Sequence, residues 1–195
     1  MDGPVPVDGG MLHLVRHGES TWNVAGLLQG CTPHVPLTTR GAAQARAAAD
    51  ALADRPVAAV VSSDQRRAAD TAAVVAARLG LPVVTTPALR EQCHGAWEGR
   101  PAVGRAAALA CAGPGWAPAG GESGEALARR VATFLAGLGA GETVVVSHGE
   151  TLRTALVLLT GAAAGVPANG SVTSLVAGPG GRWQVVGPVS AGRFA

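Results

Sequence analysis

The sequence predicts an α/β fold, a three-layer α/β/α sandwich with a mostly parallel central sheet and a C-terminal hairpin. Three observations predict it. Short apolar runs alternate with longer Ala-, Leu- and Arg-rich runs through most of the chain. The apolar runs lack strict polar alternation, which is the pattern of strands covered on both faces. Gly, Pro or Ser/Thr/Asp clusters separate the units, as right-handed crossovers require.

Residues 1–10, MDGPVPVDGG, are rich in Gly and Pro and read as a flexible tail ahead of a single domain over 11–195. Met11 to Val15 is a buried strand. Leu37 to Ala53 is a helix, with Thr38 or Thr39 as cap and Ala, Gln and Leu to propagate it. Val57 to Val61 is a second buried strand running into Ser62-Ser63-Asp64. The helix that follows spans about Gln65 to Leu79 and closes at Gly80. Pro82 to Thr85 is a short strand. The segment Arg100 to Gly120, dominated by Gly, Ala and Pro, reads as an excursion over the sheet. Gly120-Gly121-Glu122-Ser123 opens a helix to about Leu138, ended by Gly139. Thr143 to Val146 is the most β-branched strand, and the next helix covers about Glu150 to Thr160. Ser171 to Ala177 and Arg182 to Val186 flank Gly178-Pro179-Gly180-Gly181 as a hairpin; it could cover a sheet edge or pair two copies as a homodimer.

Composition narrows the function. Of 195 residues 48% are hydrophobic and 14% charged, so the chain folds and is not disordered. The net charge is +2, and every basic residue is Arg. Such a balance argues against a general nucleic-acid binder. No apolar stretch is long enough for a membrane span, and the N-terminus lacks the basic and apolar regions of a signal peptide. Cys31, Cys93 and Cys111 are far apart with no CxxC, which argues against a disulfide framework or a Cys-rich zinc site and for a reducing cytoplasm.

Ligands of doubly covered sheets sit at the carboxyl ends of the strands. Three strand ends here carry unusual polar sets. They are Arg16-His17-Gly18-Glu19, then Ser62-Ser63-Asp64 with Arg66 and Arg67 behind it, and Ser147-His148-Gly149-Glu150. A lone His is usually structural. Two His at equivalent strand ends, each before a Gly and accompanied by Arg, point to a site. His13, His34 and His94 read as ordinary residues, with His94 close enough to Glu91 to be a pocket wall. Cys93 has no paired base and reads as a small loop residue.

These residues resemble the histidine phosphatase superfamily, the phosphoglycerate mutase-like proteins. Leu14-Val15-Arg16-His17-Gly18-Glu19-Ser20 with Trp22-Asn23 and Leu28-Gln29-Gly30 is similar to the family signature. Pro36-Leu37-Thr38-Thr39-Arg40-Gly41, Ser62-Ser63-Asp64-Gln65-Arg66-Arg67-Ala68, Leu89-Arg90-Glu91 with Gly95-Ala96-Trp97-Glu98-Gly99, Gly120-Gly121-Glu122-Ser123 and Val146-Ser147-His148-Gly149 continue it in order. The resemblance covers about Met11 to Leu159. It implies His17 as nucleophile, Arg16 and Arg67 as a clamp for phosphoryl oxygens, and His148, if protonated, as a further donor. It implies Glu91 as the acid that protonates the leaving alkoxide and then activates water. Asn23 and the Gly149 amide match phosphate contacts, and Gln29 and Gly30 the lining of the entrance. No metal or other cofactor is implied, because an Arg/His cage supplies the positive charge. Arg66 reads as a surface neighbour of Arg67, Glu98 as structural, and Trp116 as a residue that could face substrate. Two departures stand out: an extra residue between Gly30 and Leu37, and Gln65 in place of a common apolar residue, expected to weaken packing.

The expected function is metal-independent hydrolysis of a small-molecule phosphomonoester through a phosphohistidine, in the cytoplasm. The alternative within the family is a cofactor-dependent phosphoglycerate mutase, which needs water excluded from the phosphohistidine; the resemblance implies larger insertions and a closing tail for such a mutase, so the short C-terminal hairpin expected here favours hydrolysis. An alternative of another class is a phospho-ligand binding module without turnover. The co-occurrence of Arg16, His17, Arg67, Glu91 and His148 argues against that module.

Overall fold

A computed structural model describes residues 10–105, 108, 111, 113–178 and 182–189. Six strands are present: β1 (Met11–Arg16), β2 (Val57–Ser63), β3 (Val83–Thr86), β4 (Glu142–Ser147), β5 (Val172–Ala177) and β6 (Trp183–Val189). The helices whose bounds fall among the described residues are α1 (Thr21–Val24), α2 (Thr39–Leu52), α3 (Arg66–Leu79), α4 (Gly124–Ala136) and α5 (Gly149–Thr160), with short 3-10 turns at Pro87–Leu89 and Gly95–Trp97. The expected tail, apart from Gly10, and the hairpin tip at 179–181 lie outside the described residues.

The sheet order is β3-β2-β4-β1-β5-β6. β1 to β4 run parallel, whereas β5 runs antiparallel to β1 and pairs with β6 as the hairpin. Side-chain alternation splits the core into two layers. Leu12 and Leu14 of β1 and Val145 of β4 face α4 and α5, against Leu127, Val131, Leu152 and Leu156. Val15, Val144 and Val146 face α2 and α3, against Ala48, Leu52, Ala72 and Val75. The predicted three layers are therefore present, and small Ala side chains let α2 and α3 approach the sheet closely. Among the described residues, no helix is long and apolar enough to cross a membrane.

Local chemistry sets the helix ends. Thr38 caps α2 by accepting from the Gly41 amide at 2.9 Å. Ser123 caps α4 in the same way. α4 stops at Ala136, two residues earlier than expected, because its last carbonyls are met at Gly137. α3 and α5 end on Gly80 and Gly161, both in the left-handed region. The short α1 is not predicted from the sequence; Ser20 and Asn23 build it through a reciprocal capping box.

The cysteine expectation is corrected. Cys31 and Cys93 are joined in a disulfide across a sequence separation of 62, and Cys111 is free and exposed. Spacing gives no sign of this pairing, which arises because two loops converge on Glu98. Glu98 accepts from the Cys31 amide at 2.9 Å, the His94 amide at 3.0 Å and the Thr32 hydroxyl at 2.5 Å. The cysteine pattern therefore lends no support to a reducing compartment.

Candidate active site

The sheet places the two histidines side by side. β1 and β4 are adjacent and parallel, with Arg16 opposite Ser147, and the His17 amide donates to Ser147 O at 2.9 Å. His17 and His148 thus leave the sheet together, with ring centroids 5.1 Å apart. The turn after His17 needs glycine. A Cβ on Gly18 would lie 2.2 Å from Gly41 O, and one on Gly41 would lie 2.0 Å from Glu19 O. Glycines at both points let the strand end press against the start of α2.

His17 is 2% exposed, and its Nδ1 lies 2.7 Å from Gly18 O. A carbonyl can only accept, so Nδ1 carries the proton and Nε2 keeps its lone pair. Burial, then Arg67 and Arg16, hold His17 well below the ordinary histidine range, against an opposing pull from the Gly18 carbonyl. The ring is therefore a neutral imidazole, the form able to act as a nucleophile. His148 is fully buried, and neither ring nitrogen has a hydrogen-bond partner in the protein. Burial, Arg67, His17, Arg16 and Arg130 push it well below the ordinary range too. In the protein alone, burial and the guanidiniums thus disfavour the protonated form on which a donor role of His148 depends.

Arg67 is 1% exposed, while Arg66 faces solvent and pairs with Asp70 at 3.5 Å. Arg67 Nη1 donates to Thr32 O and Nη2 to Gly30 O, each at 2.9 Å. Its Nε is buried without a partner. Burial brings its pKa down to about 10, still charged at neutral pH. Arg16 donates through Nη1 to Pro167 O at 2.6 Å, and its Nε is likewise buried and unpartnered. Neither guanidinium forms an ion pair among the described residues. A buried and a half-buried guanidinium, each with its Nε unmet, and a buried imidazole form an arrangement that an anion would complete.

Glu91 borders this group. Its carboxylate accepts from the Glu150 amide, the Thr151 amide and the Thr151 hydroxyl, each at 3.1 Å. It thereby caps α5, which His148 leaves without a side-chain cap. Gly149 lies against the other side. A Cβ there would come 3.5 Å from Arg16 Cζ and 2.9 Å from Val166 Cγ1.

The remaining expected residues form the rim. Asn23 Oδ1 accepts from the Ser20 amide at 3.0 Å and hydroxyl at 2.9 Å, and from Asn169 at 3.3 Å. Its oxygen thus serves the α1 cap. Gln29 Oε1 lies 2.8 Å from the same Ser20 Oγ. Gly30 contributes its carbonyl to Arg67 and stands in the left-handed region beside Glu98, whose Oε1 would be 2.2 Å from a Cβ. Two further residues were not singled out for the site. Asn169 Nδ2 donates to His17 O at 3.1 Å, a role without local signal because it arrives from far along the chain. Gln65, read as a packing defect, is 1% exposed and hydrogen-bonded at both ends of its amide. Nε2 donates to Gly30 O at 3.0 Å and Thr32 O at 3.2 Å, and Oε1 accepts from the Glu91 amide at 2.8 Å. A buried Gln in a motif otherwise apolar at that place was the signal.

Among the described residues, the one close group of metal-type ligands is Cys31, Cys93 and Glu98. Its sulfurs are bonded to each other, and Glu98 is taken up by the loop amides. The two guanidiniums of the His17 site, with their unmet Nε donors, suit an anion.

Comparison with known proteins agrees with this geometry. Over 89 residues the chain is 51% identical to an uncharacterized protein of Mycobacterium tuberculosis, covering 46% of this chain and 43% of that protein. Over 90 residues it is 41% identical to a Yersinia pestis protein named as a probable phosphoglycerate mutase GpmB, covering 46% and 41%. These matches span about two-fifths of each relative's length. A solved mycobacterial glucosyl-3-phosphoglycerate phosphatase superposes with a TM-score of 0.80 at 32% identity, covering 91% of this chain and 97% of that one. Residues 12–188 match the histidine phosphatase superfamily, branch 1, and with Arg16, His17 and His148 at adjoining strand ends and Arg67 buried at the start of α3, the chain belongs to that superfamily.

Proposed function

We propose that this protein is a phosphatase that hydrolyses a small-molecule phosphomonoester through a phosphohistidine on His17, without a metal ion. One observation carries the reading. A neutral, buried imidazole with its Nε2 lone pair free sits among Arg16, Arg67 and His148, and the Nε atoms of both arginines and both ring nitrogens of His148 are buried without a partner in the protein. That set matches the oxygens of a phosphoryl group and the charge they share in transfer.

His17 Nε2 bonds to phosphorus as the ester P–O bond breaks, and Glu91 passes a proton to the departing oxygen. Water then attacks phosphorus, gives its proton to Glu91, and the N–P bond breaks to release inorganic phosphate. Arg16 and Arg67 orient the oxygens throughout. A phosphoryl dianion beside His148 offsets the guanidinium field, so that His148 can take a proton and donate to it. The Gly149 amide and Asn23 complete the oxygen contacts, and Gln29 and Gly30 shape the entrance.

Trapping tests the reading. During turnover of p-nitrophenyl phosphate with EDTA present, an acid-labile, base-stable phosphate label should appear on the peptide containing His17. A folded His17→Ala variant should carry none and lose at least about 10³-fold in activity. Full activity in that variant, or a requirement for an added divalent ion, overturns the assignment. The Yersinia relative's name supports a second reading, a phosphoglycerate mutase. The two separate by product: 3-phosphoglycerate yields 2-phosphoglycerate in one case, and only a hydrolase releases phosphate as its main product.

A further inference from the structure

Gln92, which follows Glu91 in the chain, and Glu150, whose amide donates to Glu91, line in part a cleft of about 770 Å³ together with His94. It is far larger than a phosphoryl group and falls in the range of pockets that hold a whole organic ligand. Its walls are α4, α5 and the segment around Trp116. Three exposed large hydrophobic side chains line it: Trp116 at 44%, Leu158 at 39% and Val157 at 36%. Leu28, Leu127 and Pro114 extend the same apolar surface.

The charges on this cleft cancel. Its one guanidinium, Arg153, donates to Glu150 at 2.7 Å. Glu91 stands behind Glu150, accepting from its amide. An anionic group entering here would meet two carboxylates and an arginine already shared. His94, 5% exposed, lines the cleft with a buried Nδ1 that has no partner, a hydrogen-bonding position left open.

Building on the phosphatase reading above, we infer that the alcohol released from the substrate is a neutral group with an aromatic or aliphatic face, seated against Trp116, Val157 and Leu158. A leaving group that bears a carboxylate or second phosphate is selected against.

Phosphonates, which cannot be hydrolysed, test this by binding alone. Calorimetry compares 3-phenylpropylphosphonate with 3-carboxypropylphosphonate, whose chains have the same length and whose phosphonate groups enter the same cage. The phenyl compound should bind at least about tenfold more tightly. Trp116→Ala and Leu158→Ser, both at exposed positions, should each shrink the preference below about threefold. Equal or tighter binding of the carboxylate compound, a preference unchanged in both variants, or binding of neither compound overturns the inference. Turnover of p-nitrophenyl phosphate, measured alongside, reports separately on the phosphatase reading. Turnover without a phosphonate preference refutes only the cleft assignment, and preference without turnover refutes only the hydrolytic one.

Discussion

At position 65 one side-chain amide spans two loops. Gln65 offers hydrogens to the carbonyls of Gly30 and Thr32, the same two that hold the Arg67 guanidinium, and takes a hydrogen from the amide of Glu91. The clamp and the proposed proton donor are therefore set relative to each other by a residue that touches neither the phosphoryl group nor its oxygens. Gln65→Leu keeps roughly the volume but leaves the Glu91 amide without its acceptor. A buried amide left unmet costs about 1–3 kcal/mol. The variant should lose that much stability in urea unfolding, and its kcat on p-nitrophenyl phosphate should fall about tenfold as the Glu91 loop shifts. Wild-type kcat in Gln65→Leu would show that Glu91 is placed by its α5 contacts alone.

Between elements, the Cys31–Cys93 bond fastens the loop that holds Arg67 to the loop that carries Glu91. It closes a long stretch of chain, so a folded-state cross-link there should contribute about 2–4 kcal/mol by restricting the unfolded chain. Alkylation under non-reducing, denaturing conditions should label Cys111 alone, and reduction should raise the count to all 3 cysteines. Reduction or Cys31→Ser with Cys93→Ser should lower the urea midpoint by the same amount as each other. Three labelled thiols before reduction would show that the bond does not form in the purified protein. This bond was invisible in the sequence for a physical reason: pairing depends on where two loops meet, and neither loop has a periodic or capping signal. The strands and long helices were legible because burial on both faces and N- and C-caps leave local marks, such as Thr38, Ser123, Gly80 and Gly161. The site residues that sit at strand ends, Arg16, His17 and His148, were legible for the same reason. Asn169 was not, since only the crossover from α5 to β5 brings it back to His17.

Taken whole, the molecule buries three histidines in forms that resist protonation, and this couples its stability to pH. His13 lies between β4 and β5, near Ser174 Oγ at 2.7 Å and Glu142 at 2.6 Å, and burial lowers its pKa against the pull of Glu142. His17 and His148 are lowered further by burial and by Arg67. In the unfolded chain all three return to about 6.5. Above that value both states hold them neutral and they contribute no slope. As pH falls below it, the unfolded chain binds protons that the folded chain refuses, so stability drops until each folded pKa is reached. The maximal slope is about 1.4 kcal/mol per pH unit for each histidine. The melting temperature should therefore hold steady from pH 8 to 7 and fall between pH 6.5 and 5. Inorganic phosphate distinguishes the cage from the sheet. An anion bound between Arg16 and Arg67 makes protonation of His148 easier but leaves His13 untouched. Saturating phosphate should thus flatten the acid slope in the wild type, and should fail to do so in Arg67→Ala, where the anion is not held. A slope insensitive to phosphate in the wild type would mean that the acid sensitivity comes from His13 and not from the proposed phosphoryl site.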